Sequence, residues 1–431
     1  MTWIGCKFTF ACVTTLSAVV VLHCVISLDD AKNAENAASE IVETIRFIHV
    51  IWRHGDRNPR LVYPKDDQNG PDTWVEGLDE ITKIGKQQHF YLGHWLKQRY
   101  KGFVSEQYDS KDYRVRSSNK SRSITCAMAN AAGFYYPTTM DATNITAIPY
   151  VPVKLDLIPV EQDITTRITL PCPVADEFYK QVHQSQKYHD FIQSNRKFLD
   201  FLEDKIGWPL KTIDDIYFSY DVLLSIYTNL DTHTPPHWAT KDIYRKLTEL
   251  FDECGNFVFN NDVWIRLRAG PLYGEMVERM VKVATKNYTG DLDPALKFYA
   301  FSTHGSTLLA IQHAMGYYFK QRPTPASALI FELHEINNQY YVKVFYQNNT
   351  SSHSAQLSDP YQLTISGCDA LCPLFRLEQL AKPYVPVDWW SECGLPSQTN
   401  PFNQDEKNIT LNVSSHWNSA GSTEADQKQE L

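Results

Sequence analysis

The chain has no excess of positive charge, no second long apolar run, no internal repeat and no long low-complexity tract. Its 41 Lys and Arg stand against 50 Asp and Glu, a net charge of −9. A chain of that sign has no general attraction for nucleic acid or anionic lipid, so an anion site in it must be a local concentration of arginine. The one long apolar run, Phe8 to Ile26, lies in the leader, which leaves no candidate membrane span beyond it. The tail carries no lipid-anchor signal. Metal ligands are also scarce. His233-Thr234-Pro235-Pro236-His237 has metal-like spacing, but two prolines and no acidic third ligand argue against a metal there. No metal and no cofactor is expected.

What is present is ordinary for a globular protein, 43% hydrophobic and 21% charged, with aromatics somewhat enriched at 13%. A length of 431 residues makes two lobes the default. Residues 1–27 read as a secretory signal peptide, with a signal anchor as the alternative: Lys7 precedes the apolar run, and Val25 and Ser27 fit a cleavage site. Cys6, Cys12 and Cys24 fall in the leader. That leaves Cys126, Cys172, Cys254, Cys368, Cys372 and Cys393, an even set that suggests disulfides in an exported chain. Cys368 and Cys372 are close enough to close a small loop. Glycosylation sequons at Asn144, Asn287, Asn348, Asn408 and Asn412 agree with export, whereas Asn119 is expected to line the active site and stay unmodified. After signal cleavage no membrane association is expected. The destination is the secreted or lysosome-like lumen, with retention in the endoplasmic reticulum through Lys428-Gln429-Glu430-Leu431 as a minor alternative.

Three places share one grammar: apolar strand, short loop bearing Arg or His, then helix. Ile45 to Trp52 leads into Arg53-His54-Gly55-Asp56-Arg57-Asn58-Pro59. Tyr113 to Arg116 leads into Ser117-Ser118-Asn119 and a helix from about Ser121. Leu296 to Phe301 leads into Ser302-Thr303-His304-Gly305 and a helix from Ser306. Strands alternating with helices imply an α/β fold with a mostly parallel sheet, and ligands in such folds sit beyond the carboxyl ends of the strands, near helix N-termini. Arg53, His54, Arg57, Arg116 and His304 all fall at such ends. The groups suit phosphate, because Arg offers a planar fork of donors and a neutral His nitrogen can attack phosphorus. Asp56 is read as orienting its Arg and His neighbours, and Gly85 and Gly93 as permitting close packing. A helical stripe runs from Leu78 to Tyr100, and Trp389-Trp390 reads as packing. Leu329 to Leu333 and Tyr340 to Phe345 form a hairpin about Asn337-Asn338, expected at a sheet edge. The expected organisation is an α/β part over residues 44–160, an inserted helical cap over 161–290, a second α/β part over 291–400 and a polar disordered tail over 401–431.

The heptapeptide at residues 53–59, Arg116-Ser117, Ser302-Thr303-His304, the stretch Leu78 to His89, and Gly367-Cys368 through Cys372-Pro373-Leu374 together resemble the histidine acid phosphatases, over residues 44 to about 395. The resemblance implies a phosphoglycerate mutase-like fold with a helical cap. It also implies small phosphomonoesters as substrates, and a two-step reaction in which His54 becomes a phosphohistidine that water then hydrolyses. Arg53, Arg57, Arg116 and His304 would hold the phosphoryl oxygens without a metal. It further implies the disulfides Cys172–Cys393 and Cys368–Cys372. Ala328 stands where the family commonly has the partner of Cys254, so a Cys126–Cys254 pair stays open. Homodimers are common in the resembled family, and no nucleic-acid partner is expected.

One position departs from the pattern. The family follows its late His with Asp, the proton donor to the leaving alcohol, and the phytase-like branch places its acid one residue later. Here those positions are Gly305 and Ser306. Since general acid catalysis contributes about 10²–10⁴-fold, alkyl phosphates should turn over slowly and aryl phosphates suffer least. Glu161, Glu332 or a water are the candidate substitutes. The alternatives to a working enzyme of this kind are a catalytically impaired relative, serving as a secreted phosphate-binding or interaction protein, and a phytase-like inositol phosphate phosphatase.

Overall fold

Ile45–Arg53 is apolar at nearly every position rather than every second one, the pattern of a strand covered on both faces. In the computed structural model, which describes residues 43–137, 147–290, 292–317, 322–348 and 357–396, this segment is strand β1. Only Arg46 and Arg53 escape full burial in it. β2 (Tyr113–Ser117), β3 (Leu155–Leu157) and β4 (Phe298–Thr303) complete a parallel half in the order β3-β2-β4-β1. Beyond β1 the sheet continues antiparallel through β5 (Ala328–Ile336), β6 (Gln339–Gln347) and β7 (Tyr361–Leu363), with β8 (Cys372–Pro373) also on β6. The expected α/β class is the observed one, and its parallel half carries the strand ends of interest.

The register brings those ends level. Arg53 lies beside Thr303, and Ser302 lies beside both Trp52 and Ser117. The Asn337-Asn338 hairpin is present as β5–β6, with both Asn in the left-handed region at φ 51° and 60°. It is not an edge. β5 is buried from Ala328 to His334 between β1 and β6, and short β7 and β8 cover β6. Its continuous apolar run reflects that interior place.

Side-chain alternation divides the sheet between two cores. Ile48, Val50, Trp52, Phe298, Ala300 and Ile330 pack against helices α1 (Lys83–Arg99) and α2 (Ser121–Phe134), whereas Phe47, Ile51, Tyr299, Phe301 and Phe331 face the other way. α1 begins later than the apolar stripe implied. Thr82 caps it by accepting the Gly85 N–H, and Leu78 and Ile81 lie in the preceding loop. α1 and α2 touch backbone to backbone: a Cβ on Gly93 would lie 1.9 Å from the Asn130 carbonyl oxygen, and one on Gly133 1.8 Å from that of Phe90.

The second face is covered by α3 (Pro173–Gln184), α4 (Gln186–Ile206), α5 (Ile213–Thr228), α6 (Lys241–Phe259), α7 (Asp262–Arg268), α8 (Gly270–Ala284) and α9 (Gly305–Ala314). Their apolar residues form one buried cluster with the sheet. Two short helices, α10 (Leu374–Ala381) and α11 (Trp389–Glu392), close the described chain. Trp389 is buried and donates its ring N–H to the Leu267 carbonyl, while Trp390 packs edge-on against it.

Cys172–Cys393 and Cys368–Cys372 are disulfides. Cys126 and Cys254 do not pair: both are free and buried, Cys126 on α2 beneath the loop at Gly55 and Cys254 inside the helical core. Asn287 is exposed beyond α8. Asn348 is only partly buried, and its side-chain oxygen is engaged by Thr324 and Tyr346. The sequons at Asn144, Asn408 and Asn412, the leader and the tail lie outside the described residues. Among the described residues no helix is long and apolar enough to cross a membrane.

Candidate active site

His54 follows β1 directly and extends its ladder, donating its backbone N–H to the Thr303 carbonyl. The chain then turns hard against α1. A Cβ on Gly55 would sit 2.4 Å from the Gly85 carbonyl oxygen, and one on Gly85 2.0 Å from that of Asp56, so both positions need glycine. Gln88 accepts the Asp56 N–H and the Cys126 sulfur accepts the Gly55 N–H. The Asp56 carboxylate accepts from the Thr82 hydroxyl and the Asn229 amide, tying the loop to the cap of α1 and the end of α5. Burial raises its pKa to about 6. Asp56 thus clamps the turn; no bond from its side chain reaches His54.

The His54 imidazole is buried, and its Nδ1 lies 2.9 Å from the Gly55 carbonyl. A carbonyl only accepts, so Nδ1 carries the proton and Nε2 keeps its lone pair. Burial, then the charges of Arg122, Arg53 and Arg57, hold the ring well below the usual histidine pKa. His54 therefore stays neutral at acid pH, the form a nucleophile requires.

His304 ends β4 as the cap residue of α9. Its ring centroid is 5.7 Å from that of His54, and its Nε2 lies 3.1 Å from the Ser118 hydroxyl. Burial and then Arg122 and Arg60 keep it neutral as well. Ser118 is the residue of the β2 loop that faces the site. Asn119, expected to line it, is exposed.

The arginines divide unexpectedly. Arg53 lines the cavity and donates to the Pro323 carbonyl. Arg57 lines it too, but its fork is bidentate to Asp221 at 2.9 and 2.8 Å and also donates to Tyr217 and to the Asn58 carbonyl. A phosphoryl group at Arg57 meets its charge, and of its donors only Nε, 3.4 Å from Asp79 Oδ1, makes no hydrogen bond among the described residues. Arg116 is a correction. It pairs with Glu275 at 2.7 Å beneath α8 and lies over Tyr299 and Phe301. Arg114, two residues before it on the same face of β2, pairs with Asp156. Arg116 lies level with Phe301, two residues short of the Thr303 level at which Arg53 lies, so it serves the sheet.

Its place is taken by Arg122, at the start of α2, buried and paired with Asp79 at 2.6 Å. Arg122 is the foremost charge acting on both His54 and His304. Asp79 stands in the left-handed region at φ 64°, and is approached by Arg57 and Arg60 besides Arg122. Burial alone would raise its pKa, but the three guanidiniums hold it well below the usual range. The sequence signal for Arg122 was available: the second residue of a helix that starts at a strand end points its charge at the anion-binding edge.

The cavity that opens over His54 measures about 90 Å³. Arg53, Arg57, Arg60, His54 and His304 line its floor, and α9 begins at Gly305 on its wall. The side chains that α5 and α6 add are Tyr217, Tyr220, Asp221, Leu224, Phe251, Asp252, Asn256, Val258 and Phe259, without a lysine or arginine. Gly305 is where the resemblance expects an acid: a Cβ there would point at Arg53, 3.2 Å from its Cδ. Neither expected substitute is near. Glu332 is buried on β5 with Arg99, Tyr100 and His334, and Glu161 is exposed away from the cavity. Among the described residues no group of acids, His and Cys could hold a metal ion.

Comparison with known proteins identifies the family and the fold. The family described as the histidine phosphatase superfamily (branch 2) matches residues 44–347. Lysosomal acid phosphatase of Rattus norvegicus is 31% identical over 361 residues, covering 83% of this chain and 82% of that protein. Prostatic acid phosphatase of Bos taurus is 28% identical over 387 residues, covering 88% and 93%. The solved phytase of Citrobacter braakii superposes with a TM-score of 0.61 at 14% identity, over 81% of this chain and 99% of that one, a likeness of fold. With the family matched over most of its described length, the chain belongs to the histidine phosphatase superfamily, branch 2, among the histidine acid phosphatases.

Proposed function

We propose that this protein hydrolyses small phosphate monoesters at acid pH through a phosphohistidine on His54. The observation that carries the reading is the state of His54: neutral, proton fixed on Nδ1, Nε2 unprotonated, ringed by the charges of Arg122, Arg53 and Arg57. Nε2 attacks phosphorus, the ester oxygen departs, and water later cleaves the phosphorus–nitrogen bond. The guanidiniums and the N-terminus of α9 offset the charge spread over the phosphoryl oxygens. His304 and Ser118 hold the far side of that group.

The α5 and α6 wall favours a simple monoester over an inositol polyphosphate, since its own side chains are aromatic, apolar or aspartate and the cation that reaches it, Arg322, is stacked on Tyr220 and Phe251 beside Asp252. Lumenal delivery, in keeping with the lysosomal relatives, follows from the leader and the disulfides.

The test is trapping of labelled phosphohistidine from an aryl phosphate, quenched in alkali. Label and turnover are expected in the native protein and absent in His54→Ala. A folded native protein with neither would refute the reading. Gly305→Asp places a carboxyl at the family's usual donor position, and any gain in kcat/KM should fall on alkyl rather than aryl phosphates. The Arg53 side chain need give only a few tenths of an ångström.

A further inference from the structure

Departure of an alkoxide needs a proton, and positions 305 and 306 supply no carboxyl. The cavity holds two other carboxyl groups. Asp221 is fully engaged, accepting from both terminal nitrogens of Arg57 and from the Arg60 backbone N–H. Asp252 differs. It lines the same cavity as His54, from α6, with its side chain 15% exposed. Its Oδ1 is buried and makes no hydrogen bond among the described residues. Arg322 holds the carboxyl from one side: its backbone N–H bonds it, and its Nη1 lies 3.7 Å from Oδ1, near enough to orient that oxygen by charge and too far to bond it. Arg322 is itself fixed, stacked 3.6 Å over Tyr220 and joined through Pro323 to Arg53.

We propose that Asp252 is a further catalytic residue, the proton donor to the leaving alcohol that stands in for the acid absent at Gly305. The proposal rests on the phosphohistidine reading. As His54 Nε2 bonds to phosphorus, the phosphorus–oxygen bond of the ester breaks. The electron pair goes to the alkoxide oxygen, which takes the Asp252 proton and leaves as the alcohol. In the second step the Asp252 carboxylate takes a proton from the attacking water, and the phosphorus–nitrogen pair returns to Nε2. Asp252 is thereby restored. Burial raises its pKa against the pull of Arg322, so the donor form persists into the acid range. The other groups facing that space are Glu249 on its own helix, Tyr220 of α5, His313 and His304 of α9 and its approach, and Arg53. The His rings are held neutral by burial and are weak acids in that form.

The test compares kcat/KM, which reports steps up to leaving-group departure, for nitrophenyl phosphate and glycerol phosphate. Asp252→Asn should lower the glycerol phosphate value about 10²-fold or more and the nitrophenyl value far less. Asp252→Glu should recover part of the loss, and Gly305→Asp added to Asp252→Asn should recover more. The basic limb of the glycerol phosphate pH profile should vanish in Asp252→Asn. An unchanged glycerol phosphate value, or equal falls for both substrates, overturns the proposal. Phosphohistidine label in Asp252→Asn shows that the variant is folded and chemically competent. Absence of label in the native protein refutes the underlying function instead.

Discussion

Arg116 and Arg122 differ by six positions and by everything that matters to the reaction. Arg116 closes an ion pair with Glu275, which also holds Arg279. Arg122 sets the field on both histidines. Arg122→Ala should therefore lower kcat about 10²–10³-fold, as the loss of one preorganised donor does in other sites. Arg116→Met should leave kcat within a few-fold while costing about 1–3 kcal/mol of stability by stripping a buried charged partner. Steady-state kinetics and urea unfolding of the two variants check both, and a catalytic loss in Arg116→Met would reverse the assignment. The heptapeptide made His54, Arg53 and Arg57 readable because a dense local motif keeps its residues together however the chain folds. Arg116 against Arg122 was not readable in the same way, because both lie near one strand end and only the side each takes of β2 and α2 separates them. Arg57 carries the same lesson, since its fork is filled by Asp221, some 160 residues away.

Elements hold the site by close approach. α1 and α2 meet at Gly93 and Gly133, and α1 meets the catalytic turn at Gly85 and Gly55. Any Cβ at Gly93 must push α2 and with it Arg122. Gly93→Ala is expected to cost about 1–3 kcal/mol through overpacking and also to reduce kcat. Gly102→Ala makes a useful contrast, as open space surrounds it and only its φ of 84° resists a side chain. A thermal unfolding scan with an aryl phosphate assay separates them, and equal losses would remove the helix contact as the cause. The grammar of strand, loop and helix was legible because apolar runs and caps are local. The interior place of β5 was not, because a strand covered on both faces reads the same whether its neighbour is a long strand or a short one.

At the scale of the whole molecule, stability and working pH pull apart. His49, His54, His89, His304 and His313 are kept neutral by burial, His89 with a pKa near 3 and His313 near 4. The unfolded chain protonates them near pH 6.5, so it binds more protons, and the folded state loses stability as pH falls below that value. Asp56 and Asp214, raised by burial to about 6, act oppositely, losing their contribution as pH rises from about 4 through 6. Burial also lowers His94 and His233 and raises Asp252, so seven groups outweigh three at roughly 1.4 kcal/mol per group per pH unit. The urea midpoint should be lower near pH 4.5 than near pH 7, and a higher midpoint at acid pH would contradict the burial of neutral histidines. Cys172–Cys393 spans 221 residues and ties the start of α3 to the end of α11. Serine at both positions should cost about 2–5 kcal/mol, read by the same titration.

The sequence alone carried the motif on which the proposed attack rests: a histidine between arginines at the end of a buried strand, and a glycine after the late histidine. Those depend on residues adjacent in the chain. Which arginines line the cavity, which carboxylate is spent on Arg57, and which carboxyl keeps an unbonded oxygen in the same cavity as His54 were decided only by the tertiary structure. They depend on α2, α5 and α6 arriving at one cavity from distant parts of the chain, and on each helix turning a particular face toward it.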